Sequence, residues 1–256
     1  MGDFMDFFDL HCDTLTECMD DGDSLLKNKR DIDFERGKIF GRWNQVFAVF
    51  VPDSMDDSLV ESYFDSACDF YWSELKKKGD FFPILSAEDV RGHSRGVMLA
   101  MESSRGVGSL ERLEKLYERG LRLITLTWNA KNRAAGGWQD GSGLSDWGRE
   151  LVAKMEKLGI VTDVSHLSDR GFYDLCEFTD APFIASHSDA RAVHNELRSL
   201  TDDQIKIIIE RGGLIGLNFY DRFLGGNGGR EELLRHTEHM LSLGAENVLS
   251  IGSDYD

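Results

Sequence analysis

Hydrophobic and polar residues follow two different periods along this chain. Short runs of β-branched and aromatic residues recur eight times, each about as long as one buried strand. The stretches between them carry apolar residues at helical spacing, as in residues 110–117. The pattern predicts eight strands, at about Phe4–Leu10, Trp43–Val51, Gly96–Met101, Arg122–Thr127, Ile160–Val164, Pro182–Ser186, Leu214–Phe219 and Asn247–Gly252.

The order of these elements indicates the fold class. Strands that alternate with helices pair in parallel through right-handed crossovers. Eight such units in about 250 residues have the size of a (β/α)₈ TIM-type barrel, so we predict one α/β domain spanning residues 1–256. The alternative is an open doubly wound sheet, but no G-x-G-x-x-G motif follows the first predicted strand.

Two segments depart from a regular barrel. Residues Asn129–Ser145 are polar and glycine-rich, and they are long enough to form a lid or a substrate loop. The sequence stops at Asp256, directly after the last predicted strand, whereas a complete barrel has a helix there. We therefore expect a barrel that lacks its C-terminal helix.

The composition and charge of the chain argue against several classes of binding partner. The 256 residues include 46 Asp and Glu against 29 Lys and Arg, a net charge of −17 that repels nucleic acids and anionic membranes. No apolar run reaches the ~18–20 residues of a membrane span, and the N-terminus lacks the features of a signal peptide. The four cysteines form no C-x-x-C pair, which is typical of a reducing compartment. We expect a cytoplasmic protein, with a homodimer left open.

An H-x-D pair follows the first predicted strand. His11 and Asp13 share one face of the extended chain, while Cys12 points to the other face and is expected to pack behind the strand. Taken alone, such a pair more often forms a hydrogen-bonded surface contact than a metal site. The interpretation of this pair as part of a metal site depends on the residues at the ends of the other predicted strands.

Ionisable side chains follow four more predicted strands, namely Glu102, His166, His187 and Asp254. In a barrel the carboxyl ends of the strands converge, so three histidines and three carboxylates would meet. Six ligands exceed the need of one tetrahedral ion, which favours two ions with a bridging carboxylate and a bridging hydroxide as nucleophile. Zinc suits these ligands best, while manganese, cobalt and iron also fit. The alternative is a set of unrelated capping and loop hydrogen bonds.

The other four histidines are expected to face solvent, because each lies in a polar or helical context. They are His93, His194, His236 and His239.

Five long motifs in this sequence resemble the renal (membrane) dipeptidase family of metallopeptidases, in the same order and over nearly the whole chain. They are Asp9–Asp13, Gly143–Val152, Val161–His166, Ser186–Val193 and Ile251–Asp256. The resemblance implies a zinc-dependent dipeptidase with an amidohydrolase-type barrel. It assigns one zinc to His11, Asp13 and Asp254, the other to His166 and His187, and the bridge to Glu102.

The resemblance also implies two substrate contacts. Arg198 follows His187 by eleven residues, as in the family, and would hold the carboxylate of the dipeptide with its planar guanidinium. Trp128 stands where the mammalian enzyme has a histidine near the substrate, so we expect Trp128 to line and narrow the pocket and to affect substrate choice. We expect no counterpart here of the signal sequence and membrane anchor of the mammalian enzyme.

Asp254 is our candidate for the catalytic base, which takes a proton from water and passes it to the leaving amine. Asp256 competes for this role, being two residues further on the same face of an extended chain. Two other functions stay open: a related amidohydrolase acting on another amide, lactone or amidine, and a non-catalytic binding protein. The intact ligand set argues against the second.

Overall fold

The strands of this chain form a parallel sheet that curls into a barrel. A computed structural model of the protein describes residues 6–77 and 80–256. Phe4 and Met5, the first two residues of the first predicted strand, lie outside the described residues. The strands are β1 (Asp6–Cys12), β2 (Arg42–Phe50), β3 (Phe82–Pro83), β4 (Arg95–Glu102), β5 (Leu121–Thr125), β6 (Val161–Asp163), β7 (Ile215–Leu217) and β8 (Leu249–Ile251).

The sheet order is β6-β5-β4-β2-β1-β8-β7, and all of these neighbours pair in parallel. The two-residue strand β3 pairs with β4 beside this path. It was not predicted, because two residues are too few to show a period. The fold is the predicted α/β TIM-type barrel.

The predicted strand Pro182–Ser186 closes the ring, although it is reduced to single bridges. Ile184 pairs with Asp163 of β6, and Ala185 pairs with Ile215 of β7. At Ser186 the backbone N–H donates to the Asp163 carboxylate at 2.9 Å instead of to a neighbouring strand. A side chain thus replaces the next ladder hydrogen bond, so the regular strand ends there.

Helices cover the outside of the barrel. They are α1 (Thr14–Asp21), α2 (Phe34–Gly37), α3 (Asp57–Lys76), α4 (Ala87–Gly92), α5 (Leu110–Glu118), α6 (Asp146–Leu158), α7 (Asp169–Phe178), α8 (Asp202–Glu210), α9 (Asp221–Leu224) and α10 (Arg230–Ser242), with a 3₁₀ turn at Ser104–Val107. The predicted capping box at Thr201 begins α8, and Gly159 ends α6 in the left-handed conformation. None of the described helices combines the length and apolar character needed to cross a membrane.

The core has two layers. Inside the barrel, small and branched side chains of β2, β4, β5 and the closing segment pack together, as in Ala48, Ala100, Leu123 and Ile184. A larger cluster lies between the strands and the helices, and it includes Cys12, as predicted. Packing on both sides explains why seven of the nine residues of β2 are buried. The barrel is therefore a filled scaffold, and its open space lies at the carboxyl ends of the strands.

Candidate metal centre

The six predicted ligand residues meet at the carboxyl end of the barrel, beside a cavity of about 400 Å³ that we call the mouth cavity. Each stands at or just past the end of a strand or of the closing segment. Their atoms form three overlapping sets with metal-binding spacing: His11, Asp13 and Glu102; Glu102, His166 and His187; and His11, His187 and Asp254. Around Glu102 the other five residues divide into two groups by ligand type. The carboxylate-rich group consists of His11, Asp13 and Asp254, and the histidine-rich group consists of His166 and His187.

His11 is the buried centre of the carboxylate-rich group. Its Nε2 atom lies 3.6 Å from Asp13 Oδ1, 3.7 Å from Glu102 Oε2 and 3.7 Å from Asp254 Oδ1. Neither ring nitrogen of His11 has a hydrogen-bond partner among the described residues, and the same holds for Asp13 Oδ1. Burial lowers the pKa of His11, but the three carboxylates outweigh burial and raise it to about 10. The position therefore attracts positive charge strongly.

The histidine-rich group brings two nitrogen atoms face to face. His166 Nε2 lies 2.9 Å from His187 Nε2, and these atoms lie 3.0 and 3.4 Å from Glu102 Oε1. The other ring nitrogens hydrogen-bond to oxygens: His166 Nδ1 to Asn129 Oδ1 at 2.9 Å and His187 Nδ1 to Ser186 Oγ at 2.7 Å. If both Nδ1 atoms donate, both Nε2 atoms present lone pairs to each other, an arrangement that a cation between them stabilises.

Charge states agree with this arrangement. Burial, together with the positive charges of Arg198 and His11, lowers the pKa of His166 and His187 well below its usual range, which favours the neutral form that binds metals. At His11 a bound cation would take the place of the ring proton. Burial raises the pKa of Glu102 well above its usual range, so a cation beside it would stabilise the charged carboxylate.

Glu102 joins the two groups through different atoms. Its Oε2 faces His11, whereas its Oε1 faces His166 and His187. Ligand atoms around a tetrahedral zinc ion lie about 3.3 Å apart, by geometry from a metal–ligand distance of about 2.0–2.1 Å. The observed separations of 2.9 to 3.7 Å are close to that value. The residues present fit two divalent cations that share one carboxylate.

A buried carboxylate supports the histidine-rich group from below. Asp163 accepts hydrogen bonds from the backbone N–H groups of Ser165 and Ser186 and from the hydroxyls of Thr125 and Ser186. Ser186 Oγ lies 2.6 Å from Asp163 and 2.7 Å from Nδ1 of His187. The chain from imidazole through hydroxyl to carboxylate directs the lone pair of His187 Nε2 to the metal position.

A matching support lies under the carboxylate-rich group. Asp9 accepts from the backbone N–H groups of His11 and Ser253 at 3.2 and 2.9 Å, and from the Ser253 hydroxyl at 2.6 Å. Ser253 precedes Asp254, as Ser186 precedes His187. The sequence analysis did not identify Asp9 or Asp163 as site residues. The sequence feature that could have indicated them is an aspartate within an apolar strand.

Three non-glycine residues with positive φ lie at the site. They are Ser103 (84°), His166 (65°) and Asp254 (60°), of which two are candidate ligands and the third follows Glu102. Such conformations cost about 1–3 kcal/mol each and persist only where the surroundings impose them. Of the three, His166 and Asp254 line the mouth cavity.

The structure places the two predicted substrate contacts differently. Trp128 lines the mouth cavity, and its ring packs edge-to-face on Phe50 with centroids 4.9 Å apart. Arg198 is only 5% exposed and is not among the residues that line the cavity. Its Nη1 donates to Ser188 Oγ and its Nη2 to the His187 carbonyl, both at 2.8 Å, while Nε has no partner among the described residues.

Other predictions about polar residues had mixed outcomes. The loop Asn129–Ser145 contributes Asn129, Trp138 and Gln139 to the cavity wall. The prediction that His236 faces solvent is wrong, because this ring is fully buried. Its Nδ1 accepts from the backbone N–H of Ala190 and its Nε2 faces the carbonyl of Leu224, both at 3.1 Å, so it ties two segments together. None of the four remaining histidines joins a ligand group among the described residues.

Comparison with known proteins gives a consistent result. An uncharacterised protein from the region 5′ of pqqA in Klebsiella pneumoniae is 31% identical over 191 residues, which cover 67% of this chain and 70% of that protein. The solved dipeptidase AC, a metallopeptidase of family M19, superposes with a TM-score of 0.87 at 26% identity, covering 98% of this chain and 85% of that one.

A second solved structure is a metallopeptidase from Rhodobacter sphaeroides bound to a phosphinate mimic of the dipeptide L-Ala-D-Ala. It has a TM-score of 0.85 at 26% identity and covers 99% of this chain and 87% of that one. The family model described as membrane dipeptidase (peptidase family M19) matches residues 3–256. With its barrel, its two ligand groups and a family match over nearly its entire length, the chain belongs to the membrane dipeptidase family of metallopeptidases.

Proposed function

We propose that this protein hydrolyses dipeptides at a site that holds two zinc ions. The observation that carries the proposal is the geometry of Glu102, whose Oε2 faces Nε2 of His11 while its Oε1 faces Nε2 of His166 and His187. Membership of a dipeptidase family supports the reaction, and so does the dipeptide mimic bound to a structural neighbour.

His11, Asp13 and Asp254 would hold one ion, His166 and His187 the other, and Glu102 both. When bound, two zinc ions supply a hydroxide nucleophile at neutral pH and polarise the scissile carbonyl. Imidazole and carboxylate ligands favour zinc, and the same set accepts manganese, cobalt or iron.

Asp254 would act as general base and then as general acid. Its Oδ2 accepts a 3.0 Å hydrogen bond from the Asn218 amide, which fixes the carboxylate, and its Oδ1 points toward His11. It lines the mouth cavity and is partly exposed, so it can reach both the attacking water and the leaving amine. Asp256 also lines the cavity but joins neither ligand group.

Two further residues would bind the substrate. Arg198 carries a guanidinium whose burial lowers its pKa, so an anion nearby would stabilise the charged form. Its Nε has no partner among the described residues, and we propose that it donates to a dipeptide carboxylate. Trp128 and Phe50 would form an apolar wall that narrows the cavity. The four free cysteines and the acidic composition fit a cytoplasmic site of action.

The test combines metal analysis with substrate screening. Protein purified with added zinc should contain about two ions per chain, and Glu102→Gln should lower the content of both. It should hydrolyse members of a dipeptide library covering both stereochemistries of each residue. One ion or fewer per chain would contradict the binuclear site. Turnover of lactones or other amides in place of dipeptides would assign the protein to the alternative, a related amidohydrolase.

A further inference from the structure

Arg222 is an exposed arginine in the wall of the mouth cavity. Its guanidinium makes no ion pair or hydrogen bond with any residue of the described ranges 6–77 and 80–256. By contrast, Arg105, Arg112, Arg119 and Arg191 all pair with carboxylates. A positive charge that lines a substrate cavity without a partner is available to a substrate anion.

The backbone around Arg222 is held firmly in relation to the metal centre. The Asn218 side-chain oxygen accepts from the backbone N–H of Tyr220 at 2.6 Å, while its amide group donates to Asp254. At the other end of α9, His236 bonds to the carbonyl of Leu224. One asparagine therefore sets the position of α9 relative to the proposed catalytic base.

The charged groups around the cavity leave Arg222 without a carboxylate partner among the described residues. Two divalent ions and a hydroxide would neutralise the three ligand carboxylates. Of the two other acidic residues in the wall, Glu17 is paired with Arg30 at 2.9 Å, and Asp256 forms no ion pair with Arg222 in the described part of the chain. A zwitterionic dipeptide adds no net charge, so a second carboxylate on the substrate would supply the partner that Arg222 lacks among the described ion pairs.

The neighbours of Arg222 indicate which part of the substrate it would meet. Phe223, the next residue, also lines the cavity, and its ring lies 5.6 Å from the guanidinium carbon of Arg198. Under the proposed function Arg198 holds the α-carboxylate of the C-terminal residue, so Arg222 would lie near the side chain of that same residue. Resting on that function, we propose that Arg222 binds an anionic side chain and directs the enzyme to dipeptides with a C-terminal aspartate or glutamate.

The experiment compares two nearly isosteric substrates. Zinc-loaded protein is assayed with alanyl-aspartate and alanyl-asparagine, each with the L and the D form of the second residue. We expect wild type to favour aspartate by about 5- to 10-fold in kcat/KM, as for a partly exposed charge-assisted contact. Arg222→Gln should bring the ratio close to one, and Arg222→Lys should retain part of it. Because solvent screens the contact, the wild-type ratio should shrink as salt rises.

The control is Arg230→Gln. Arg230 is an exposed arginine of α10 that does not line the cavity, and its substitution should leave the wild-type ratio intact. Equal losses on both substrates in Arg222→Gln would overturn the proposal, since they would assign Arg222 to the α-carboxylate. A preference for aspartyl-alanine over alanyl-aspartate would also overturn it.

A binding measurement separates this proposal from the proposed function. The dissociation constants of phosphinate mimics of the same two dipeptides are measured calorimetrically with wild type and Arg222→Gln. A preference for the aspartyl mimic that Arg222→Gln removes, without turnover of any dipeptide, would support the anion subsite while contradicting dipeptidase activity. Turnover of dipeptides with no preference in either measurement would contradict the subsite alone.

Discussion

His166 and His187 are each held at Nδ1 by a hydrogen bond, whereas His11 has no such partner among the described residues. The carboxylates of the two groups differ as well. Asp13 and Asp254 have side chains 18% and 19% exposed, while the shared Glu102 is almost fully buried. The rings of the histidine-rich group are thus held by hydrogen bonds, and the carboxylates Asp13 and Asp254 are more exposed toward the mouth cavity.

The supports beneath the two groups explain this difference. Both consist of a strand aspartate that accepts the N–H and O–H of a serine on a neighbouring segment. Ser186 also reaches the ring of the candidate ligand His187, while Ser253 reaches the backbone carbonyl of His11, at 3.2 Å. One support orients a ligand ring and the other orients only the main chain.

Under the proposed function, the two ions should therefore not be equivalent. Ligands whose lone pairs are already directed bind a metal more tightly, since less order is lost on binding. We expect the histidine-rich group to retain its ion longer. The carboxylate-rich group can exchange solvent and move protons, which is where the candidate base Asp254 lies.

The largest effect should come from Asp254→Asn. The amide can still offer an oxygen to the ion but cannot accept a proton, so kcat should fall about 10²- to 10⁴-fold while most of the metal stays bound. Turnover and metal content are measured together, with Asp256→Asn as the matched variant. Near-normal turnover in Asp254→Asn with a collapse in Asp256→Asn would move the role to Asp256.

Arg198→Ala should separate substrate binding from support of the histidine-rich group. Loss of a charge-assisted contact costs roughly 1.5–3 kcal/mol, so KM should rise about 10- to 150-fold for dipeptides with a free carboxylate. Dipeptides amidated at the C-terminus should be affected much less. Because Arg198 also bonds to the carbonyl of His187, equal losses on both substrates together with lost metal would indicate a structural role.

Ser186→Ala and Ser253→Ala test the comparison directly. Each removes a hydroxyl from a buried aspartate, but only Ser186→Ala frees Nδ1 of a ligand ring. Zinc affinity should fall about 10- to 100-fold in Ser186→Ala and less in Ser253→Ala. Competition with a chelating dye measures both, and thermal unfolding of the metal-free proteins controls for a general loss of stability. Equal losses of affinity would remove the proposed difference between the groups.

The smallest effect should come from Trp128→His. The indole lines the mouth cavity, packs on Phe50 and lies 6.2 Å from the ring of His166, a member of the histidine-rich group. Aromatic contacts of this kind contribute roughly 0.5–1.5 kcal/mol, so rates for individual dipeptides should shift about 2- to 12-fold and their ranking should change. An unchanged ranking across a dipeptide panel would mean that Trp128 does not select the substrate.

The local sequence predicted those features that depend on a single strand or helix. Each of the eight predicted strands has a counterpart in the barrel among the described residues, and the candidate ligands stand at the strand ends because a short apolar run followed by a polar residue is a local signal. The strand at 182–186 is weaker than its sequence suggests, since Ser186 bonds to a side chain. The burial of His236 was missed because its partners are the backbones of Ala190 and Leu224, far from it in sequence.

The sequence by itself determined the class of fold, the order of its elements and the chemical types of the candidate ligands, because these follow from periodicity and from residue identity. Only the tertiary structure decided which atoms face each other. The two faces of Glu102, the different supports under the two groups, the burial of Arg198 and the exposure of Arg222 all depend on contacts between distant segments. Such contacts form only when the barrel closes, because closure alone brings all the strand ends to one point.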